Sequence, residues 1–407
     1  ATEFETSLRV HSDGAGLSLV WLPPEGYLVE SIEPRPGQPE LCVGDIVRQV
    51  GGTCLRGFTS EDLADKALAR VLRDRARALV YRPCADASSG DLVAVPSALP
   101  PEPLRISSVG VGTWSWGNDS FGHTWDEGAL AGTFHRALDC GAFLIDTAPT
   151  YGRGHAERLL GRLCESGRYA IVATKYFPRD SDRDLATAAI TCAREAAKRL
   201  RIGGPVHLLQ LHKPASPPFS LEAQADALAA VVQAGAAKAV GVCNFSLEEL
   251  RVVHGRLWKA HGVPLSTCQV EFSLLRQLPL SAGLVAGCKA LGVAVMAYSP
   301  LAMGRLSGRY DPIRGSLPRW GPKGNQARPF GGTLDSEPKA LAALLDALRE
   351  IGGRYGGRTP GQVALNWVLA QGVVALAGAR TRAQAEENAG AMGWRLSPED
   401  VQTLAEC

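Results

Sequence analysis

The chain has 407 residues, of which 45% are hydrophobic and 21% charged, with a net charge of +2. That length suits two domains with a large buried core, and the composition excludes a disordered or low-complexity protein. The near-balanced charge gives no support for binding nucleic acid or a membrane surface through bulk charge, and no apolar run is long enough to span a bilayer.

Residues 1–83 read as a small β-rich domain. Strands are expected at LSLVWL, GYLVESI and DIVRQV, then a helix over SEDLADKALARVL and a closing strand at RALVYR. Residues 84–104 are rich in Pro, Ser and Ala and read as a linker. From residue 105 to 407 the pattern alternates. Eight near-continuous apolar runs, VGVGT, FLIDT, IVATK, LLQLH, VGVCN, CQVEF, VMAYS and VALAG, read as parallel strands buried on both faces. Helical patterns such as HAERLLGRLCES and LSAGLVAGCKALG lie between them. Eight such units predict an α/β fold, a (β/α)8 TIM barrel preceded by the small β-rich domain. An open doubly wound sheet is disfavoured because no GxGxxG follows the first strand.

The ten cysteines are scattered, with neither a CxxC pair nor metal-ligand spacing to histidine, so a reducing compartment and no metal site are expected. The chain begins with Ala, which suggests that a presequence has been removed.

Polar residues collect where the barrel strands end, and in such barrels that end carries the chemistry. Asp146 and Tyr151 in LIDTAPTY, Lys175 in IVATK and His212 in HLLQLHKP are expected at the ends of four separate strands. Together they meet the needs of hydride transfer to a carbonyl. A phenol donates a proton, an ammonium lowers that phenol's pKa, a carboxylate holds the ammonium, and an imidazole orients the carbonyl oxygen. Each alone has a bland explanation: a loop aromatic, a solvated strand end, a helix cap, a satisfied barrel histidine. The combination favours catalysis.

With these motifs in place, residues 105–407 resemble the aldo-keto reductases, nearest to plastid-type and bacterial members. VGVGTW, DTAPTYG, ATK, LHKP, GVCNFS, QVEFSLL, AYSPLAMGRLSGRY, LPRWGPKGNQARPF and GARTRAQAEEN are similar to the family's motifs in order. The resemblance implies the (β/α)8 barrel, the catalytic tetrad Asp146, Tyr151, Lys175 and His212, and reduction of an aldehyde or ketone with NADPH, favoured over NADH. It also implies cofactor contacts. Thr113 and Trp114 follow the first strand, Asn244 and Gln269 match the nicotinamide amide positions, and Tyr298 matches the aromatic stacked on the ring. Ser299, Pro300 and Leu301 match the pyrophosphate loop, and Arg309 and Arg319 the long loop that closes over the cofactor. Gly378, Arg380, Gln384, Glu387 and Asn388 match the segment for the 2′-phosphate and adenine. Phosphates bind after strands 7 and 8 of such barrels beside a helix N-terminus, and arginine suits them.

The chain departs from the family in places. Cys243 stands where many members carry Ser, and His155 reads as a helix start. The chain stops at Cys407, soon after SPEDVQTL, which implies a pocket open on that side. Trp114, Trp116, Trp125 and Phe177 are candidates for an apolar substrate cleft, whereas Trp367 reads as core.

The first domain resembles a PDZ domain, through GLSL and the run GYLVESIEPRPGQPELCVGDIVRQVGGTCLRGFTSEDLADKAL. That likeness implies capture of a C-terminal peptide by strand addition at Gly16, Leu17, Ser18 and Leu19. The Trp21–Leu22–Pro23–Pro24 run is expected to shorten or break that edge. The alternative function is an NADP(H)-binding regulatory or assembly subunit tethered through this domain. Similarity to plastid-type members points to a chloroplast, with the cytoplasm as the alternative.

Overall fold

A computed structural model describes residues 2–8, 17–22, 26–32, 46–50, 53–55, 61–72, 76–82, 91–98, 103–117, 126–165, 170–179, 181–309, 313 and 338–407. Six strands form an N-terminal sheet: β1 Thr2–Ser7, β2 Leu17–Leu22, β3 Gly26–Ile32, β4 Ile46–Val50, β5 Thr53–Cys54 and β6 Arg77–Arg82. The order is β1-β6-β4-β3-β2, with β5 paired to β4 and the helix Glu61–Val71 between β5 and β6. Tyr27, Val47, Val50, Leu55 and Ala64 form a small separate core. Trp21 and Leu22 pair with Tyr27 and Gly26 on the β3 side of the strand. Pro23, Pro24 and Gly16 lie outside the described residues.

The segment expected as linker is structured in part. β7 (Leu92–Val95) pairs antiparallel with β8 (Leu104–Ser107). Composition misled because only alternate residues of this hairpin need be apolar to seal a surface; Val95 and Ile106 are fully buried in the barrel core. The hairpin closes the N-terminal mouth of the barrel. Ser107 Oγ accepts from the Phe143 and Leu144 amides at 3.1 and 3.0 Å, Ser266 Oγ donates to the Pro96 carbonyl, and the Ala98 amide donates to the Lys238 carbonyl at 3.1 Å.

The eight expected barrel strands are all present: β9 Val109–Gly112, β10 Leu144–Asp146, β11 Ile171–Tyr176, β12 Val206–Leu211, β13 Ala237–Cys243, β14 Leu265–Glu271, β15 Ala294–Tyr298 and β16 Val374–Gly378. They pair in parallel in chain order, and β16 returns to β9 to close the barrel. Gly110 permits the closure, since a Cβ there would lie 2.8 Å from both the Leu144 carbonyl oxygen and a Leu376 methyl. Helices start on side-chain caps: Asp126, Asp184, Ser220, Ser246, Thr359, Thr381 and Ser397 each accept from a first-turn amide. The pattern LSAGLVAGCKALG, expected as one helix, is two, Leu278–Ser281 and Leu284–Ala290, broken at left-handed Gly283. No helix among the described residues is long and apolar enough to cross a membrane.

Candidate active site

Asp146 ends β10, Lys175 is the penultimate residue of β11, and His212 follows β12 directly. Tyr151 opens the 3-10 turn Tyr151–Gly154. The four side chains therefore come from three strands, not four. β10 is only three residues long, and the chain after it folds back, the Tyr151 amide donating to the Ala148 carbonyl at 3.0 Å.

All three donor directions of the Lys175 ammonium are used: Asp146 Oδ2 at 2.6 Å, the Thr147 carbonyl at 3.0 Å and the Tyr151 hydroxyl at 3.2 Å. Lys175 and Asp146 are 1% and 4% exposed, so the pair lies in a dry setting where electrostatics is strong. Burial disfavours the ammonium, but Asp146 and Tyr151 more than offset this, and the Lys175 pKa is raised. The expectation for Tyr151 is corrected. Burial pushes its phenol up to about 12, and Lys175 opposes that shift without overcoming it. Tyr151 is thus a protonated phenol with an ammonium poised to stabilise it once the proton leaves. Burial, reinforced by Lys175, brings His212 down to about 4. Its imidazole is neutral near pH 7, whereas an ordinary histidine is partly charged there. We expect the His212 ring resonances in the cofactor-free protein to stay flat between pH 5 and 8; an NMR titration with a midpoint near 6.5 would contradict this.

Asp146, Tyr151 and His212 open on a cavity of about 510 Å³ at the C-terminal mouth. Asp146, Tyr151, His212, Trp114, Asn244, Gln269, Tyr298, Ser299, Pro300 and Leu301 line it at one end, and Arg309, Gly378, Arg380, Gln384, Glu387 and Asn388 at the other. Asn244, at φ 63°, donates from Nδ2 to the His212 carbonyl at 2.9 Å and accepts from the Tyr298 hydroxyl at 3.0 Å. Ser299 and Met303 also sit at positive φ, so the loop after β15 holds strained backbone beside the cavity. The far end has the chemistry of an anion site: the N-terminus of the helix Arg382–Ala389, the Arg380 side chain, and Arg309, which is ion-paired to Glu387. The cavity thus offers uncharged hydrogen-bonding side chains, Asn244, Gln269 and Tyr298, beside Tyr151 and a cationic patch at Arg380 and Arg309.

Some expected residues fall elsewhere. Thr113 is fully buried, and its amide and hydroxyl both bond the Asp146 carbonyl at 2.9 Å, so it pins β9 to β10 and does not line the cavity. Gln269 does line the cavity, but its amide donates to Asp146 Oδ1 at 2.8 Å. Trp116 is core, with its indole donating to the Ala379 carbonyl at 2.8 Å, and Trp367 is core as expected. Phe177 lies under the Lys213 ammonium and outside the cavity lining. His155 is the first residue of its helix, and Cys243 is buried with its thiol pKa raised by burial. Arg319, Trp125 and the LPRWGPKGNQARPF stretch lie outside the described residues.

Sequence reading missed Gln210, which is fully buried in the barrel with its Oε1 3.5 Å from Gln269 Nε2. A glutamine inside the apolar run LLQLH was the available signal. Glu157, which HAERLL places just after Tyr151, was assigned no role from sequence; it is fully buried where a surface charge is the usual reading.

The Aldo/keto reductase family model matches residues 108–407. The chloroplastic pyridoxal reductase of Arabidopsis thaliana is 33% identical over 317 residues, covering 74% of this chain and 83% of that protein. Aldo-keto reductase YhdN of Bacillus subtilis is 28% identical over 319 residues, covering 74% of this chain and 89% of its own. Among solved structures, the glycerol dehydrogenase AKR11B4 from Gluconobacter oxydans superposes with a TM-score of 0.65 at 26% identity, over 78% of this chain and 95% of that one.

Proposed function

The chain belongs to the aldo/keto reductase family, and from that premise we propose that it reduces an aldehyde or ketone to the alcohol with NADPH, Tyr151 acting as general acid. The observation that carries this reading is the Lys175 ammonium held at 2.6 Å from Asp146 and 3.2 Å from the Tyr151 hydroxyl, directly behind the cavity wall that those two residues form. Asn244, Gln269 and Tyr298 would hold the nicotinamide end, and Arg380, Gln384, Asn388 and the helix N-terminus the 2′-phosphate end. Bound there, NADPH would supply the hydride. Neutral His212 orients the carbonyl oxygen, Tyr151 gives that oxygen its proton, and Lys175 stabilises the phenolate left behind.

The Arabidopsis relative makes pyridoxal the first carbonyl to assay, and its plastid location supports the chloroplast over the cytoplasm. Quenching of intrinsic tryptophan fluorescence should show NADPH binding more tightly than NADH, with Arg380→Ala removing most of the difference, about 1.5–3 kcal/mol for a lost charge-assisted bond. Turnover of an aldehyde panel should follow. Binding without any turnover would move the reading to a cofactor-binding regulatory subunit.

That second reading has one feature in its favour. The sheet order β1-β6-β4-β3-β2 leaves β2 paired only to β3 among the described residues. Such an edge supports a PDZ-like module that adds a partner's C-terminal peptide as a further strand beside Leu17, Ser18 and Leu19. The two roles are compatible in one chain.

A further inference from the structure

Tyr151 has little local support. Its 3-10 turn carries no side-chain cap, and the next three residues, Gly152, Arg153 and Gly154, all adopt positive φ at 54°, 54° and 79°. The helix that follows, His155–Cys164, has Gly154 at its N-cap and no side-chain cap either. Yet the phenol must stay within 3.2 Å of Lys175. The third residue of that helix, Glu157, is a fully buried carboxylate outside the cavity. It accepts from Thr174 Oγ1 at 2.7 Å and from Arg199 Nε at 2.6 Å.

Thr174 directly precedes Lys175 on β11, and successive strand residues point to opposite faces. Lys175 therefore meets Tyr151 on the inside of the barrel while Thr174 meets Glu157 on the outside. Arg199, which ends the helix Leu185–Arg199, reaches back over the turn, where a Cβ on Gly154 would lie 3.3 Å from Arg199 Cδ. Glu157 is fully buried while Arg199 is partly exposed, so the carboxylate gives up its solvation and depends on Arg199 and Thr174 for compensation.

We infer that Glu157 is a positioning residue that clamps the Tyr151-bearing turn to the Lys175-bearing strand from behind, through Thr174 and Arg199. This rests on the reading of Tyr151 as proton donor.

The test compares Glu157→Gln, Thr174→Val and Thr174→Ser in the full chain, by turnover, NADPH binding, thermal unfolding and hydrogen exchange of the peptide spanning residues 148–156. Thr174→Val should lower kcat by about tenfold to 100-fold, the scale of a small misplacement of a reacting group, and leave NADPH affinity within about twofold, since neither residue lines the cavity. Thr174→Ser keeps the hydroxyl and should restore kcat. In a Tyr151→Phe background, followed by single-turnover NADPH oxidation, Thr174→Val should cost nothing further. Exchange should quicken in residues 148–156 and not across the barrel. Unchanged kcat with lowered unfolding temperature would reduce Glu157 to a stability role, and an equal loss in the Tyr151→Phe background would place its effect elsewhere; either overturns the inference. Should Glu157→Gln fail to fold, the two Thr174 variants decide. If the wild type reduces no carbonyl, the proton-donor reading falls, and exchange in the Tyr151 peptide still decides whether the clamp exists.

Discussion

Tyr151→Phe should lower kcat by about 10²–10⁴-fold while NADPH still binds. The range is that of a lost general acid or base. Phe keeps the ring, so the edge contact with His212, with centroids 6.3 Å apart, survives, and only the hydroxyl 3.2 Å from Lys175 is lost. Removing it leaves one of the three Lys175 donors without its acceptor, but the bonds to Asp146 and Thr147 remain. The defect should therefore appear in the chemical step and not in folding. Single-turnover NADPH oxidation with excess enzyme checks this, with unfolding temperature as the control. Retention of more than about a tenth of wild-type kcat would remove Tyr151 from the role of proton donor, since that is well below what such a group supplies.

Lys175→Met should destabilise the protein by about 3–5 kcal/mol, the usual cost of stripping one partner from a buried ion pair. Asp146 would keep the Gln269 amide on Oδ1 but lose its counter-ion on Oδ2, and the Thr147 carbonyl would lose its donor. Urea unfolding of wild type and variant at pH 7.5 measures the loss. Lys175→Met with Asp146→Asn should recover most of the loss, because no buried charge remains. Equal stability of Lys175→Met and wild type at pH 7.5 would mean that the pair is not buried as described.

Much of this site was legible beforehand, for identifiable reasons. Barrel strands buried on both faces leave long apolar runs, and runs such as IVATK and LLQLH locate β11 and β12 to within a few residues. Motif order then brought Asp146, Lys175 and His212 to one mouth. What escaped the sequence depends on partners rather than residue type. Thr113 and Gln269 sit in the expected motifs, but whether a hydroxyl or amide faces a ligand or the Asp146 backbone and carboxylate is decided by chains distant in sequence. Likewise the raised pKa of Tyr151 is the balance of burial against Lys175, and burial cannot be read from a motif.

The β7–β8 hairpin has a consequence for how this protein can be taken apart. Asp91, just before it, accepts from the Gly393 amide at 2.8 Å and from Arg395 at 3.0 Å, so the hairpin is stitched to the segment that leads into the final helix, Pro398–Glu406, as well as to the strand beginnings. The covalent order places it with the N-terminal half, but its contacts belong to the barrel. A clean dissection must fall upstream of Asp91, and so must any exchange of the N-terminal sheet for another module. A cut between Val95 and Leu104 would unroof the reductase floor, whatever it did to the module in front.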